Sequence, residues 1–273
     1  MYLIIKRNFR IVDLLFVAYV IVGLLFLTAC NSRVEGCLDI AAENFDLDAD
    51  KSCDNCCKYP SVFITLSQKW NDRFFQTTDT LIDINGQPYL IKDLKYILSS
   101  FAWRDADNIH YTVDSTTILC GATAVSYSRD LLQIDSKTFN YALDTIRLFP
   151  FAESIMMKLG WPPQLECVDE SNTSHPQVFL GSNPLYDHVI DKRAAIRLVI
   201  QPDVNVAVLD TIYIHACKEI SLDYSLDMPA GVDVTFDFTV NYADWFSTID
   251  VDRPEEIPSI VLSNIEGSFT RTP

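Results

Sequence analysis

Residues 232–242 alternate strictly between apolar and polar side chains, and this pattern constrains the fold more than any other stretch. Successive side chains of a β-strand point to opposite faces, so the alternation predicts an antiparallel strand with one buried and one solvated face. Gly231 marks the turn that begins it. Further runs with strand-like composition lie at 62–67, 80–84, 89–103, 110–113, 139–149, 195–200, 210–216, 219–222 and 258–262. The turn signals between them predict an all-β fold, an antiparallel two-sheet β-sandwich.

One stretch departs from the strand pattern. Apolar residues between Phe151 and Leu159 fall at helical spacing, and Gly160 with the prolines that follow it is typical of a helix end. We therefore predict one short helix there. The polar residues 164–191 that come next predict a long connection, and connections of this length are often functional.

The N-terminus has the parts of a secretory signal: basic residues, an apolar run from Leu14 to Ala29, and a small residue at its end. The run is shorter than the roughly 18 to 20 residues that span a bilayer as a helix, which favours cleavage after residues 1–29. Leu27-Thr28-Ala29-Cys30 resembles the lipobox of bacterial lipoproteins, in which the cysteine receives diacylglycerol. The resemblance implies lipid attachment at Cys30; the alternative is an uncleaved single-pass anchor.

The lipobox resemblance also implies a location. Asn31 follows Cys30, and it does not resemble the Asp that commonly signals inner-membrane retention in enteric bacteria. We therefore expect a protein held at the cell outer membrane by its lipid anchor, on either the periplasmic or the surface face.

The charge of the chain excludes one class of partner. The sequence has 37 acidic and 21 basic residues, a net charge of −16, and without residues 1–29 it keeps 36 acidic and 18 basic residues. Nucleic acid is an unsuitable partner because such a chain repels phosphates. The acidity suits attraction of cations, although it also simply keeps an exported protein soluble.

Seven cysteines follow Cys30, and outside the cytosol cysteines at such spacings usually form disulfides. An odd number leaves at least one thiol that is unpaired, bound to a ligand or joined to another chain. The seven are Cys37, Cys53, Cys56, Cys57, Cys120, Cys167 and Cys217.

Residues 30–59 are predicted to form a tether and a small cysteine-rich knot, and residues 60–273 the β-sandwich domain. Gly36-Cys37-Leu38-Asp39 and Ser52-Cys53 are similar to parts of a short module near the N-termini of many exported Bacteroidota proteins. A segment this short buries too little apolar area to fold alone, which indicates that disulfides hold it together.

Two cation sites are conceivable in the knot. Asp46, Asp48 and Asp50 form an Asp-x-Asp-x-Asp run able to aim carboxylates at calcium, but the Gly and Glu of an EF-hand loop are absent, so a solvated acidic turn is the alternative. Cys53-x-x-Cys56 with its neighbouring cysteine would suit zinc. A second ligand pair is missing nearby, which favours disulfides.

Several segments of the later chain resemble the MbnP-like family, the methanobactin-associated periplasmic copper-binding proteins. The residues 93–101 are similar to the signature near the start of that domain. Three further pieces follow in the family's order, namely Leu159-Gly160-Trp161-Pro162, Pro184-Leu185-Tyr186-Asp187 and Asp244-Trp245-Phe246. The resemblance implies an all-β sandwich and binding of a copper ion in the periplasm. The family's Trp-rich stretch after the Met-Tyr segment and its strand His have no counterpart here.

Few residues are candidates for metal ligands. His215 and Cys217 are predicted to alternate onto the same face of one strand as Tyr213, which would present an imidazole and a sulfur together. The alternative is a disulfide from Cys217 to Cys120 or Cys167, with His215 merely hydrogen-bonded. His188 and His175 lie in the long connection, and they join His215 only if that connection folds over the sheet.

These sequence features leave three functions to consider. The first is a lipid-anchored envelope protein that binds a metal ion such as copper and works with an envelope redox or metal-handling protein. The second is a surface adhesin or fimbrillin-like interaction lipoprotein without a metal. The third, an enzyme, is not expected, since the sequence has no Gly-x-Ser-x-Gly elbow, His-Glu-x-x-His motif or phosphate loop.

Overall fold

The computed structural model describes residues 16, 19 and 33–272, apart from 107, 112–114, 121, 129, 146–150, 169–181 and 228. The predicted lipid-attachment residue Cys30, nearly all of the signal sequence and His175 lie outside these residues. No helix among the described residues is long and apolar enough to cross a membrane. The chain divides into two compact units: the described residues up to Asp39 with Asn44–Cys57, and Ile40–Glu43 with the chain from Lys58 onward.

Strands dominate the secondary structure, as the all-β prediction requires. In chain order they are β1 (Glu35–Gly36), β2 (Lys51–Ser52), β3 (Ser61–Trp70), β4 (Arg73–Phe74), β5 (Leu81–Ile82), β6 (Pro88–Arg104), β7 (Ile109–Tyr111), β8 (Ser115–Cys120), β9 (Thr123–Ser128), β10 (Leu132–Asp135), β11 (Asn140–Thr145), β12 (Phe151–Gly160), β13 (Tyr186–Asp187), β14 (Lys192–Arg193), β15 (Ile196–Gln201), β16 (Asp210–Ile214), β17 (Cys217–Asp227), β18 (Val234–Asn241) and β19 (Phe269–Arg271). The helical elements are a 3-10 turn (Pro163–Leu165), α1 (Tyr242–Trp245) and α2 (Ile257–Asn264).

The smaller unit is a knot closed by disulfides. Its strands β1 and β2 pair in parallel over two residues each, too little hydrogen bonding and apolar burial to hold a fold alone. The bonds Cys37–Cys57 and Cys53–Cys56 cross-link it. The prediction of disulfides in this segment is therefore confirmed.

The larger unit is a sandwich of two sheets. The larger sheet has the order β16-β15-β6-β12-β17, with β5, β7 and β10 also paired to β6, and the smaller sheet has the order β11-β3-β18-β19 with β4 on β3. Aromatic rings from the facing sides meet between them: Trp103 of β6 lies 5.7 Å from Phe236 of β18, and Tyr224 of β17 lies 5.3 Å from the same ring. All three are nearly inaccessible to solvent. This interface is the main core.

The strictly alternating stretch forms the centre of the smaller sheet. Val234, Phe236 and Phe238 of β18 are buried while Asp237 between them is exposed, as the pattern requires. The pairing differs from the expectation on one side, because β18 runs antiparallel to β19 but parallel to β3. Alternation reports which face a side chain occupies and not the direction of the neighbouring strand.

Two predicted elements are of the wrong type. The stretch predicted as a helix is β12, which pairs with both β6 and β17. Between Ala152 and Ser154 the partner β17 has one more residue than β12, and the adjacent Ser154 and Ile155 are both buried, so the apolar residues of β12 do not keep a period of two and imitate helical spacing. Residues 258–262, predicted as a strand, belong to α2. Pro258 lies in its first turn, and the buried Ile257, Val261 and Ile265 recur every four residues.

The larger sheet also carries a partial layer on its outer face. Ile97 of β6 points away from the sandwich core and packs with Ile118 of β8, Tyr127 of β9, Trp161 and Leu165. The disulfide Cys120–Cys167 joins β8 to the chain just after the 3-10 turn. This outer layer, made of β8, β9 and residues 161–168, positions the site described next.

Candidate functional site

The candidate site lies on a short hairpin beside the larger sheet. Strands β13 and β14 pair Tyr186 with Arg193 and Asp187 with Lys192. The turn between them is polar at both ends, and Asp187 accepts a 3.0 Å hydrogen bond from the Val189 backbone N–H. This local bond orients the Asp187 carboxylate at the hairpin's start, so that its second oxygen faces the chain that follows β16.

His215 meets this carboxylate. Its Nε2 lies 3.1 Å from Oδ2 of Asp187, and its Nδ1 lies 3.1 Å from the backbone oxygen of Arg193. A carbonyl oxygen only accepts hydrogen bonds, so the contact requires the hydrogen on Nδ1. Nε2 is then available either to carry a second proton shared with Asp187 or to donate its lone pair to a metal ion.

The electrostatics favour a charged carboxylate at this position. Asp187 is only 7% exposed. That burial would raise its pKa, but the hydrogen bonds and charge from His215 and the amide hydrogen bonds of Val189 and Ile190 outweigh it, so the pKa lies below the ordinary value of 3.8. Asp187 is therefore ionised at neutral pH and offers a negative oxygen to His215 or to a cation.

Arg193 fixes the second arm of the hairpin. Its guanidinium donates to the backbone oxygens of Leu165 (3.0 Å) and Val168 (2.8 Å), and it lies 5.5 Å from the centre of the Trp161 ring. The Trp161 indole N–H in turn donates to the oxygen of Ala194 at 2.9 Å. Four contacts thus hold the arm whose carbonyl orients His215.

His188 is the next imidazole along the chain from Asp187. It is exposed, and its ring lies 4.9 Å from that of Tyr186, edge to face. The Tyr186 hydroxyl donates to Asp191 at 2.5 Å, which closes the hairpin turn over residues 187–191. The long connection therefore brings Asp187 to His215. In the part of the chain that the structure describes, His188 does not form a group of ligand atoms within 4.8 Å of one another with these two.

Cys217 does not join this group in the way predicted. Strand β16 ends at Ile214 and β17 begins at Cys217, so His215 lies between two strands and not on one strand with Tyr213 and Cys217. The alternative disulfide partner is also wrong, because Cys120 pairs with Cys167 and Cys217 is a free, exposed thiol. The chain between β16 and β17 passes close to Gly160, which pairs with Cys217 and has φ +118°. A Cβ added to Gly160 would lie 2.1 Å from the Ala216 oxygen, so only glycine fits at this position.

The knot's candidate ligands have other partners. Asp46 accepts a 2.9 Å hydrogen bond from the Asp48 amide, which makes a local turn. Among the described residues, the one group of three or more His, Cys, Asp or Glu ligand atoms within 4.8 Å of one another is Cys53, Cys56 and Cys57, so the carboxylates of Asp46, Asp48 and Asp50 do not converge on one point. All three of those sulfurs are in disulfides.

A metal ion fits the Asp187–His215 pair by distance and by donor type. Two ligands each about 2.0 to 2.1 Å from one ion at angles of about 90 to 105° lie about 2.8 to 3.3 Å apart, and the observed separation is 3.1 Å. Imidazole nitrogen with carboxylate oxygen suits Cu(II) or Zn(II). Sequence reasoning named His215 and missed Asp187 as a ligand, since the pairing of these two residues spans 28 residues.

Comparison with known proteins adds one distant similarity. No protein-family model matches the sequence, and no curated protein sequence matches it. Among solved structures, the chain is similar to MbnP from Methylosinus trichosporium with a TM-score of 0.46 and 9% sequence identity, over 70% of this chain and 78% of that chain. A match at these values is too distant to assign a function.

Proposed function

We propose that this protein is a lipid-anchored protein of the bacterial envelope that binds one transition-metal ion at Asp187 and His215. The observation that carries the proposal is the orientation of His215. The Arg193 carbonyl accepts a hydrogen bond from Nδ1–H of His215. This leaves Nε2 facing the ionised Asp187 carboxylate, at a distance that two ligands of one metal ion would have.

The preferred ion is a divalent metal of the copper or zinc type. The two preset donors are a nitrogen and an oxygen, and this donor set suits those ions. His188 is exposed on the same hairpin and does not converge with the pair in the structure, so it would join the ion only if the hairpin turn rearranges. Copper is also the ion that the resemblance to the MbnP-like family implies. When bound, the ion would supply redox or Lewis-acid chemistry, while the protein supplies the orienting carbonyl and carboxylate.

The proposed setting agrees with the covalent chemistry of the chain. Three disulfides, Cys37–Cys57, Cys53–Cys56 and Cys120–Cys167, are typical of an oxidising compartment outside the cytosol. Lipid attachment at Cys30 would hold the domain at the outer membrane. An exchange partner would then be an envelope protein that handles metal or electrons.

The test is metal titration of the full-length protein in detergent, with copper and zinc measured separately by calorimetry and elemental analysis. We expect one equivalent per chain and a loss of affinity of at least about 100-fold in His215→Ala and Asp187→Asn, with a smaller loss in His188→Ala. The matched control is His110→Ala, since His110 also pairs with a carboxylate, 2.6 Å from Asp105.

The spectrum of the copper form gives a second readout. Electron paramagnetic resonance should show a nitrogen coupling from His215 that is lost in His215→Ala and persists in His110→Ala. Metal-free protein with no micromolar affinity would refute the proposal. Equal loss of binding in His110→Ala would place the metal at the other His–Asp pair and would also refute it.

A second candidate, adhesion without a metal, is favoured by one observation. Val206, Val208 and Leu209 are each about half exposed in one loop between β15 and β16, and clustered exposed apolar residues often mark interaction surfaces. Protease treatment of intact cells tests this candidate. Loss of the protein from shaved cells, with no metal bound, would favour adhesion.

A further inference from the structure

A cleft separate from the His215 site opens on the outer face of the larger sheet. It has a volume of about 470 Å³, in the range of sites for small organic ligands. Its floor is the sheet itself, at Ser100 and Ala102 of β6, Met156 of β12 and Ser221 of β17. Tyr111, Tyr127 and the 3-10 turn form its walls.

The floor is shaped by a β-bulge. Met156 pairs with Ala102 and Lys158 pairs with Ser99, so β6 has one more residue than β12 between these two pairs. Ser100 adopts φ +55° there, which a residue with a side chain rarely does. Bulges and strained residues of this kind are concentrated beside functional sites, where they redirect side chains.

A buried carboxylate completes the bulge. The amide of Phe101 donates a 2.6 Å hydrogen bond to Oδ2 of Asp130, which is only 3% exposed. Asp130 also lines the cleft. The Asp130 side chain therefore lies at the bulge end of the floor, where it holds the bulge in place.

At the other end the cleft has an arginine without an acidic partner. Within the described residues, the guanidinium of Arg104 donates to the Met156 sulfur at 3.6 Å and forms no ion pair with a carboxylate. Lys158, two residues along β12, is paired with Glu219 at 3.3 Å. In a chain with 37 acidic and 21 basic residues, a cation left unpaired at a cleft is available for a ligand's anion.

We propose that this cleft binds a small amphipathic organic carboxylate. The ligand's carboxylate pairs with the Arg104 guanidinium, which presents a planar fork of donors suited to it. Its apolar body lies over Met156 between the rings of Tyr111 and Tyr127. The bulge at Phe101 lies three residues from Arg104, or about 10 Å along the strand, so the pairing with Arg104 places the ligand's carboxylate at the end of the cleft away from the bulge.

The test uses two probes of the same shape, 2-naphthoate and the neutral 2-naphthamide, titrated into the full-length protein at fixed ionic strength. We expect saturable binding of both and an affinity for the naphthoate at least about tenfold higher, since a charge-assisted pair with Arg104 adds about that factor. In Arg104→Gln the two probes should bind equally. Arg253→Gln is the matched control, because Arg253 is exposed and already pairs with Asp250 and Glu256.

Two further variants separate this proposal from the others. Ser221→Trp places a large ring on the floor and should abolish binding of both probes. If it fails to fold, the comparison of Arg104→Gln with Arg253→Gln still decides. His215→Ala should bind naphthoate as the unmodified protein does, so the metal proposal and this one fail independently. No saturable binding, equal affinity for the two probes, or an equal effect of Arg253→Gln would overturn the proposal.

Discussion

The buried hydroxyl of Tyr242 offers a sharp test of what joins the two sheets. It donates a 2.7 Å hydrogen bond to Oε1 of Gln68 on β3, and it lies 3.2 Å from the hydroxyl of Tyr96 on β6. Because the Tyr242 hydrogen is used on Gln68, Tyr96 must be the donor in the second bond. All three residues are at most 1% exposed, so none of these groups has water as a substitute partner.

We predict that Tyr242→Phe destabilises the protein far more than Tyr96→Phe. The first change orphans two buried groups, the Gln68 oxygen and the Tyr96 hydroxyl, at about 1–3 kcal/mol each, so about 2–6 kcal/mol in total. The second removes one donor and leaves the Tyr242 to Gln68 bond intact, for about 0.5–1.5 kcal/mol. Both fall within a total stability of about 5–15 kcal/mol.

The assay is urea unfolding followed by tryptophan fluorescence and circular dichroism, with disulfides kept oxidised. The double variant Tyr96→Phe/Tyr242→Phe should be no less stable than Tyr242→Phe alone, since it removes a hydroxyl that the first change had already orphaned. Refutation would be a double variant whose loss equals the sum of the two single losses. A larger loss in Tyr96→Phe than in Tyr242→Phe would refute the assigned donor direction.

Three other predictions follow from the structure. Replacing Cys120 and Cys167 together by Ala should lower the free energy of unfolding in urea by about 4 kcal/mol, because the disulfide closes a loop of 47 residues and restricts the unfolded chain. Cys217→Ala should change that free energy little, because the Cys217 thiol is free and exposed. Burial would raise the pKa of Asp135, but the hydrogen bonds from Lys137 and Thr138 and the charge of Lys95 outweigh it and lower the pKa. The stability that this shift contributes is present above the ordinary pKa of 3.8 and is lost as pH falls through the folded-state pKa. Asp135→Asn should therefore reduce the loss of stability measured as the protein is titrated with acid. Burial is the largest cause that raises the pKa of Tyr96 and Tyr242 above the ordinary value of 10.0. The free energy of unfolding should therefore fall as pH rises above about 10. Absorbance measured at alkaline pH should show that these two phenols ionise only when the protein unfolds.

The sandwich could be predicted from sequence because its central strands have regular periods. In β18 each apolar residue from Val234 to Val240 alternates with a residue of another type, so one face is defined without knowledge of any partner. Strand β12 has the same kind of environment, but both of its partner strands carry an extra residue opposite it, β17 near Ala152 and β6 near Met156. The adjacent Ser154 and Ile155 of β12 are both buried, which changes a period of two into an apparent helical period. Irregular pairing is a property of two strands and leaves no fixed signal in one.

The candidate site was less predictable, since it depends on contacts distant in sequence. The sequence singled out His215 for its supposed strand neighbour Cys217, but the ligand that faces it is Asp187 on another hairpin. The atom that orients it, the Arg193 carbonyl, belongs to the backbone and has no residue-type signal. A local signal that could have indicated a structured hairpin in the long connection is the pair of turn aspartates, Asp187 and Asp191, whose side chains accept hydrogen bonds within the hairpin.

One segment supports both binding sites that we propose, and this links their stability. Residues 161–168 provide the Trp161 ring and the two carbonyls that hold Arg193, and they also provide the prolines and Gln164 at one end of the cleft. The disulfide from Cys167 to Cys120 fixes the same segment to β8. Because neither site has its own covalent support in the described residues, loosening this bond should weaken metal and carboxylate binding together, even where the sandwich core stays folded.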